Sequence, residues 1–112
     1  MRFLLLVYAS HATRRGSEPS LLGLARYKQE MTRAGVLLAM DALEPAGTWL
    51  ELAPDVTVGV LDGTAIGSDS VVCAYCLIQA KSREEALEWA KRYPLGGDTV
   101  GVELRQVLDG AN

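Results

Sequence analysis

Three titratable side chains in this sequence have types and surroundings suited to acid–base catalysis. His11 is the only histidine and lies in a polar stretch, and histidine is the side chain that titrates unperturbed near neutral pH. Asp41 interrupts the apolar run VLLAMDAL, where an ionised carboxylate is costly unless it is paired. Asp62 and Gly63 form a turn signal. His11, Asp41 and Asp62 are therefore the candidate catalytic residues.

Each of these residues also has a purely structural interpretation. His11 fits an exposed position in a loop, and Asp62 fits a residue that only shapes its turn. Asp41 fits an aspartate on an edge strand that faces water or pairs with an arginine, the candidates being Arg14, Arg15 and Arg26. The sequence has no metal-ligand cluster, phosphate-binding loop or nucleophile elbow. We therefore expect neither a metal nor a cofactor.

Several aromatic and sulfur-containing side chains could line an apolar pocket beside these groups. An apolar wall with a few polar tips is the usual composition of a small-molecule site. Core packing or subunit contact explains any one of these residues on its own, so the interpretation depends on their convergence. The candidates for substrate binding are Tyr8, Tyr27, Met31, Met40, Trp49, Cys73 and Tyr75.

Cys73 and Cys76 have the CxxC spacing of redox and zinc sites. Residues three apart on a strand face opposite sides, so we expect two separate buried thiols and neither a shared metal nor a disulfide. Such thiols are typical of a reduced cytoplasmic protein. The N-terminal run FLLLVYA after Arg2 imitates a signal peptide, but it is at the lower limit of length for one. We therefore expect a cytoplasmic location.

One stretch, VVCAYCLIQAKSREEALEWAKRYPL, determines the expected architecture. Its first ten residues are apolar at almost every position and too few to span a membrane, which predicts a central strand covered on both faces. Ser82 then starts an amphipathic helix that Pro94 stops. Alternation predicts that Val72, Ala74, Cys76 and Ile78 face the helices, and that Val71, Cys73, Tyr75 and Leu77 face the other way. With so few helices, that second face must meet a second subunit, enclose a ligand or do both.

The remaining elements complete an α+β plan. Asp41 is expected to share a strand face with Leu37 and Ala39. The order β-α-β, hairpin, β-α-β predicts a ferredoxin-like fold with a four-stranded antiparallel sheet, in which the first and third main strands are central. The 112 residues form a single domain, 1–112, and a net charge of −3 argues against nucleic acid as a partner. The first helix is predicted over Ser20–Ala34. The predicted strands, besides the central one described above, are Phe3–Tyr8, Val36–Leu43, Thr48–Leu52, Val56–Leu61 and Thr99–Leu108.

Several segments, in the same order along most of the chain, resemble the YCII-related proteins, in the branch named for its DGPF motif. They are RFLLLVY, RAGVLLAMDALEP, the Asp62–Gly63 turn, LIQAKSREEALEWAKRYPL and VGVELRQVL. The resemblance implies a dimeric α/β barrel whose ferredoxin-like subunits enclose one sheet face inside a homodimer.

The sequence departs from this family at functional positions. Thr64 and Ala65 follow Asp62–Gly63 where the motif has proline and phenylalanine. Related YCII enzymes have a histidine on the first helix and an aspartate near the end of the second. Here the first helix contains no histidine and the second ends in Lys91, Arg92 and Tyr93, so that pair is not carried over.

Two classes of function remain open. The first is a small cofactor-free enzyme that isomerises, eliminates, cyclises or hydrolyses an apolar or aromatic metabolite inside a dimer cavity. The alternative is a non-catalytic ligand-binding or accessory homodimer. Either one has a small molecule and a second copy as partners, with no nucleic acid and no membrane. An open dimer interior favours the enzyme, and a filled interior favours the module.

Overall fold

The computed structural model describes residues 1–10, 21–44, 47–62, 70–96 and 99–108. Four of its strands form an antiparallel sheet in the order β2-β5-β1-β6, and β3 and β4 form a separate two-stranded ribbon. The fold is therefore α+β and ferredoxin-like with an inserted hairpin, as the sequence predicted. The elements are β1 Arg2–Ser10, α1 Leu21–Arg33, β2 Leu37–Ala42, β3 Thr48–Leu52, β4 Val58–Asp62, β5 Ser70–Gln79, α2 Arg83–Lys91 and β6 Thr99–Gln106.

The two central strands, β1 and β5, are the apolar runs at the start of the chain and after the hairpin. Strand β1 continues past its predicted end, because Ala9 pairs with Val71 and Ser10 pairs with Ser70. The predicted strand ends at Tyr8, before these two small residues. Backbone pairing with β5 outweighs their weak preference for strands.

Both helices pack on one face of the sheet and form a single core with it. Tyr27 of α1 is at the centre of this core. Its ring meets those of Trp89 at 6.3 Å and Tyr93 at 5.5 Å, both edge to face. Its hydroxyl donates to the Trp89 carbonyl oxygen at 2.5 Å, which satisfies a polar group that is almost fully buried. Trp89 is partly buried and packs α2 against this core.

The ends of the helices follow capping rules that are visible in the sequence. Gly35 has a φ of 75°, and its N–H donates to the Thr32 carbonyl oxygen while that of Val36 donates to Met31. This arrangement is a Schellman motif, whose left-handed residue favours glycine. The Ser82 side chain accepts from the backbone N–H of Glu85 at 3.1 Å and caps α2. Both predicted helix boundaries are confirmed to within a residue or two.

A β-bulge at Cys73 overturns the predicted faces of the first part of β5. Val7 pairs with Ala74 but Tyr8 pairs with Val72, so Cys73 is an extra residue in the ladder. Val71 is consequently buried on the helix side, Cys73 packs against the core, and Val72 turns to the other face. The predicted orientations of Val71, Val72 and Cys73 were wrong because strict alternation does not survive an inserted residue.

A second bulge changes the face of Leu37. This residue pairs with Ile78, whereas Ala39 pairs with Leu77, so Leu38 is the extra residue in β2. Leu37 therefore lies on the helix side, while Ala39 and Asp41 lie on the opposite side. The prediction that Leu37 and Asp41 share a face was wrong for this reason.

Candidate functional site

The sheet face opposite the helices, called the open face below, contains the polar candidates. Residues directly opposite one another in a ladder share a face, so the strand registers define this surface. Its apolar part is formed by leucines of the two central strands, with polar side chains along both edge strands. Its residues are Leu4, Leu6, Tyr8, Ala39, Asp41, Val72, Tyr75, Leu77, Gly101, Glu103 and Arg105.

Tyr75 and Asp41 form a hydrogen-bonded pair on the open face. They are directly opposite each other on β5 and β2, and the Tyr75 hydroxyl donates to Asp41 Oδ2 at 2.8 Å. This hydrogen bond and the nearby negative charge raise the pKa of Tyr75, because a phenolate would face a carboxylate. Tyr75 is therefore the proton donor of the pair at neutral pH, and the exposed Asp41 carboxylate is the acceptor.

A second cluster lies at the other edge of the same face. The Tyr8 hydroxyl donates to Glu103 Oε1 at 2.8 Å, and Arg105 Nη2 donates to the same oxygen at 3.1 Å. The hydrogen bonds from Arg105 and Tyr8 lower the pKa of Glu103, and the hydrogen bond to Glu103 raises the pKa of Tyr8. Glu103 is thus held ionised between a cation and a hydroxyl donor.

The register places Asp41, Tyr75, Leu6 and Glu103 in one row across the four strands. Neighbouring strands are about 4.8 Å apart, so the backbones at Asp41 and Glu103 are separated by roughly 14 Å. Each carboxylate pairs with its own tyrosine, Asp41 with Tyr75 and Glu103 with Tyr8. The open face therefore presents two separate tyrosine–carboxylate groups with the apolar side chain of Leu6 between them.

The structure brings together only some of the predicted site residues. Tyr8, Asp41 and Tyr75 share the open face. Four others lie behind the sheet on the helix side: Tyr27 and Met31 are buried in the core, and Met40 and Cys73 pack against it. Their placement fits the core-packing explanation that the sequence left open.

The remaining three predicted residues lie away from this group or outside the described chain. Trp49 is exposed on β3. Asp62 is the last residue of β4, where it pairs with Thr48, and the following part of its predicted turn lies outside the described residues. His11 also lies outside them, directly after the end of β1.

Glu103 and Arg105 are polar residues of the open face that sequence reasoning did not select. In the sequence they alternate with Val102 and Leu104, a pattern typical of an edge strand with one solvent-exposed face. That alternation was the signal in the sequence that could have identified Glu103 and Arg105 as residues of an exposed sheet face. It could not reveal Tyr8 as the partner of Glu103, because a strand pattern does not specify its register against a neighbour.

The described part of the chain places no three histidine, cysteine, aspartate or glutamate side chains where they could hold a metal ion. Neither described helix has the length and apolar character that crossing a bilayer requires.

The buried thiol of Cys76 predicts a loss of stability in alkaline solution. Burial raises its pKa from the usual value of 9.0 to about 11. The unfolded chain therefore loses this proton first, and the stabilisation, complete below pH 9, is lost as the pH rises toward 11. We expect the urea midpoint to fall between pH 9 and pH 11, and to fall less steeply in Cys76→Ala. Equal slopes in the two proteins would contradict this assignment.

Comparison with known families agrees with the architecture. A family model of the YCII-related domain matches residues 1–110 of the chain. A search of curated proteins with this chain found no match. The resemblance to YCII-related proteins is therefore confirmed over almost the full length of the chain.

Proposed function

The chain belongs to the YCII-related family, and we propose that it is a homodimeric, cofactor-free enzyme performing acid–base chemistry on an apolar or aromatic small metabolite. In this proposal two copies turn their open faces toward each other and enclose the substrate. The observation that carries the proposal is the hydrogen bond between Tyr75 and the exposed carboxylate of Asp41.

The distribution of polar and apolar side chains on the open face supports a dimer. Leu4, Leu6 and Leu77 form its middle, and both helices are committed to the other face. A sheet that is apolar on both sides is stabilised when a second layer removes each side from water. A second copy supplies that layer and adds its own polar edges, which gives an apolar cavity with a few hydrogen-bonding groups.

The pair itself suggests the chemistry. Tyr75 donates to Oδ2, so Oδ1 of Asp41 is the oxygen that takes a proton from a carbon next to a substrate carbonyl. The electron pair of that C–H bond moves into the carbonyl and forms an enolate. In a β,γ-unsaturated substrate, the proton returns to the far carbon of the C=C bond and the double bond shifts into conjugation, which completes an isomerisation. In a substrate with a leaving group on the neighbouring carbon, the enolate electron pair forms a C=C bond as that group departs, which completes an elimination. Exclusion of water by the second subunit strengthens these electrostatic interactions.

Two other titratable groups retain supporting roles in this proposal. His11 follows the strand that carries Tyr8, so it is the candidate second proton carrier. Asp62 stays a candidate at the end of β4. The alternative function, a non-catalytic module, is favoured by the Tyr8–Glu103–Arg105 cluster, because groups that satisfy one another need no ligand.

Proton abstraction can be tested before the natural substrate is known. Phenylacetone, 2-indanone and δ-valerolactone are incubated with the protein in D2O, and deuterium incorporation next to the carbonyl is followed by NMR. We expect incorporation above the buffer rate for at least one probe, together with a dimer in light scattering at micromolar concentration. A dimer that shows neither exchange nor any probe-induced shift of open-face amide signals would favour the accessory module.

A further inference from the structure

The β3–β4 ribbon, residues 48–62 and called the arm below, is apolar and exposed. Its two strands pair without interruption from Thr48 opposite Asp62 to Leu52 opposite Val58. Seven of its apolar side chains are between 40% and 78% exposed. They are Trp49, Leu50, Leu52, Val56, Val58, Val60 and Leu61.

One face of the arm is entirely aliphatic. Leu50 is opposite Val60 and Leu52 is opposite Val58, so these four side chains lie together on one side. A half-buried antiparallel ribbon normally turns such a face toward a core. An isolated two-stranded ribbon is only marginally stable in water, so this face needs a covering surface.

The described part of the subunit does not provide that cover. The extensive contacts of β3 and β4 are with each other. The radius of gyration is 16.0 Å, whereas a compact domain of this length has a value of about 13 Å. The smallest extent is 18 Å, which accommodates one sheet and one helix layer. The arm therefore projects sideways and covers neither face of its own sheet.

The tip of the arm contains a strained valine. Val56 has a φ of 62°, its N–H donates to the Ala53 carbonyl oxygen at 2.9 Å, and it is the most exposed residue of the arm's apolar set. A left-handed conformation is unfavourable for a non-glycine residue, and especially so for a β-branched one. Glycine or asparagine would make this turn without that cost. The valine side chain therefore indicates a contact beyond the turn.

We propose that the arm of each subunit packs its aliphatic face against a second copy of this chain, at the margin of that copy's open face. This inference rests on the homodimer of the proposed function and extends it. Each exposed apolar side chain offers about 100 Å², so the four side chains of the aliphatic face offer roughly 400 Å², about half of the roughly 800 Å² that each partner buries in a standard interface, and the open face supplies the rest.

A second copy fits this surface better than other partners do. Residues 47–62 contain Glu51, Asp55 and Asp62 but no lysine or arginine, which opposes binding to anionic lipids. The same chain has another apolar surface in need of cover, the open face around Leu6 and Leu77. The arm follows β2, the strand that carries Asp41. In a two-fold symmetric dimer, the arm of each subunit covers part of the open face of the other, so the same contact forms two times.

Photo-crosslinking tests where the arm lies. A benzoylphenylalanine replaces Leu52, and subunits labelled with ¹⁴N and ¹⁵N are mixed before irradiation. We expect mixed-isotope crosslinks from the arm to open-face peptides of the other copy. The matched control has the same probe at Leu87, an exposed leucine of α2, and gives few crosslinks. Crosslinks confined to one subunit overturn the proposal.

Sedimentation tests what the arm contributes. The double variant Leu52→Lys, Val58→Lys should raise the dimer dissociation constant at least 10-fold with an unchanged circular dichroism spectrum, and Leu87→Lys should not. If the arm variants associate as tightly as the wild type, the proposed contact between the arm and the second copy is wrong, while the dimer of the proposed function is unaffected. A wild-type monomer at micromolar concentration overturns both. Wild-type binding to zwitterionic phosphatidylcholine vesicles that the double variant loses contradicts the arm contact and favours a membrane contact instead.

Discussion

Asp41→Asn is expected to lower the rate of deuterium incorporation into the probe ketones about 100-fold or more, the range that general acid–base catalysis covers. The amide keeps the shape of the carboxylate and an oxygen that can accept from the Tyr75 hydroxyl. It cannot take up a substrate proton. Because Asp41 is exposed in the subunit, folding should be unaffected, and the thermal midpoint should stay within experimental error of the wild type.

Two further variants separate chemistry from general damage. Glu88→Gln makes the same carboxylate-to-amide change on α2, where Glu88 only pairs with Lys91 at the surface, and it should leave exchange unchanged. His11→Gln should reduce exchange if His11 is the second proton carrier. Full activity in both Asp41→Asn and His11→Gln would move the site elsewhere on the chain.

Phe3→Ala should lower the free energy of unfolding by about 3–5 kcal/mol, as large-to-small changes in cores do. Phe3 is fully buried and pairs with Ile78 in the centre of the helix-facing core. Urea denaturation followed by tryptophan fluorescence measures the change. Leu87→Ala, at an exposed site on α2, should cost less than about 1 kcal/mol. Similar losses in the two variants would mean that the core is not centred on β1.

Much of the fold could be predicted because its signals are local. The apolar runs that become β1 and β5, the serine cap of α2 and the glycine after α1 each act through neighbouring residues. The order of these elements then restricts the topology to very few choices. The strand order, with β1 and β5 central, is confirmed.

The composition of the open face could be predicted only in part, because it depends on register between distant strands. An inserted residue such as Cys73 has no distinctive sequence pattern, yet it decides whether Val71 or Val72 faces the helices. The partnership of Tyr8 with Glu103 depends on the pairing of β1 with β6, which are separated by almost the whole chain. Asp41 was identified because a single charge in an apolar strand is visible without any register.

Bulges in the two edge strands of the main sheet affect whether the protein aggregates at high concentration. Strand β2 contains the extra residue Leu38 and β6 contains Val100, since Tyr8 pairs with Gly101 and Ala9 with Thr99. A bulge disrupts the row of backbone donors and acceptors that an incoming strand would need. Both free borders of the main sheet are therefore poor templates for open-ended growth. Fibril formation on partial denaturation should start from the uninterrupted residues 48–52, and Leu50→Lys should delay it.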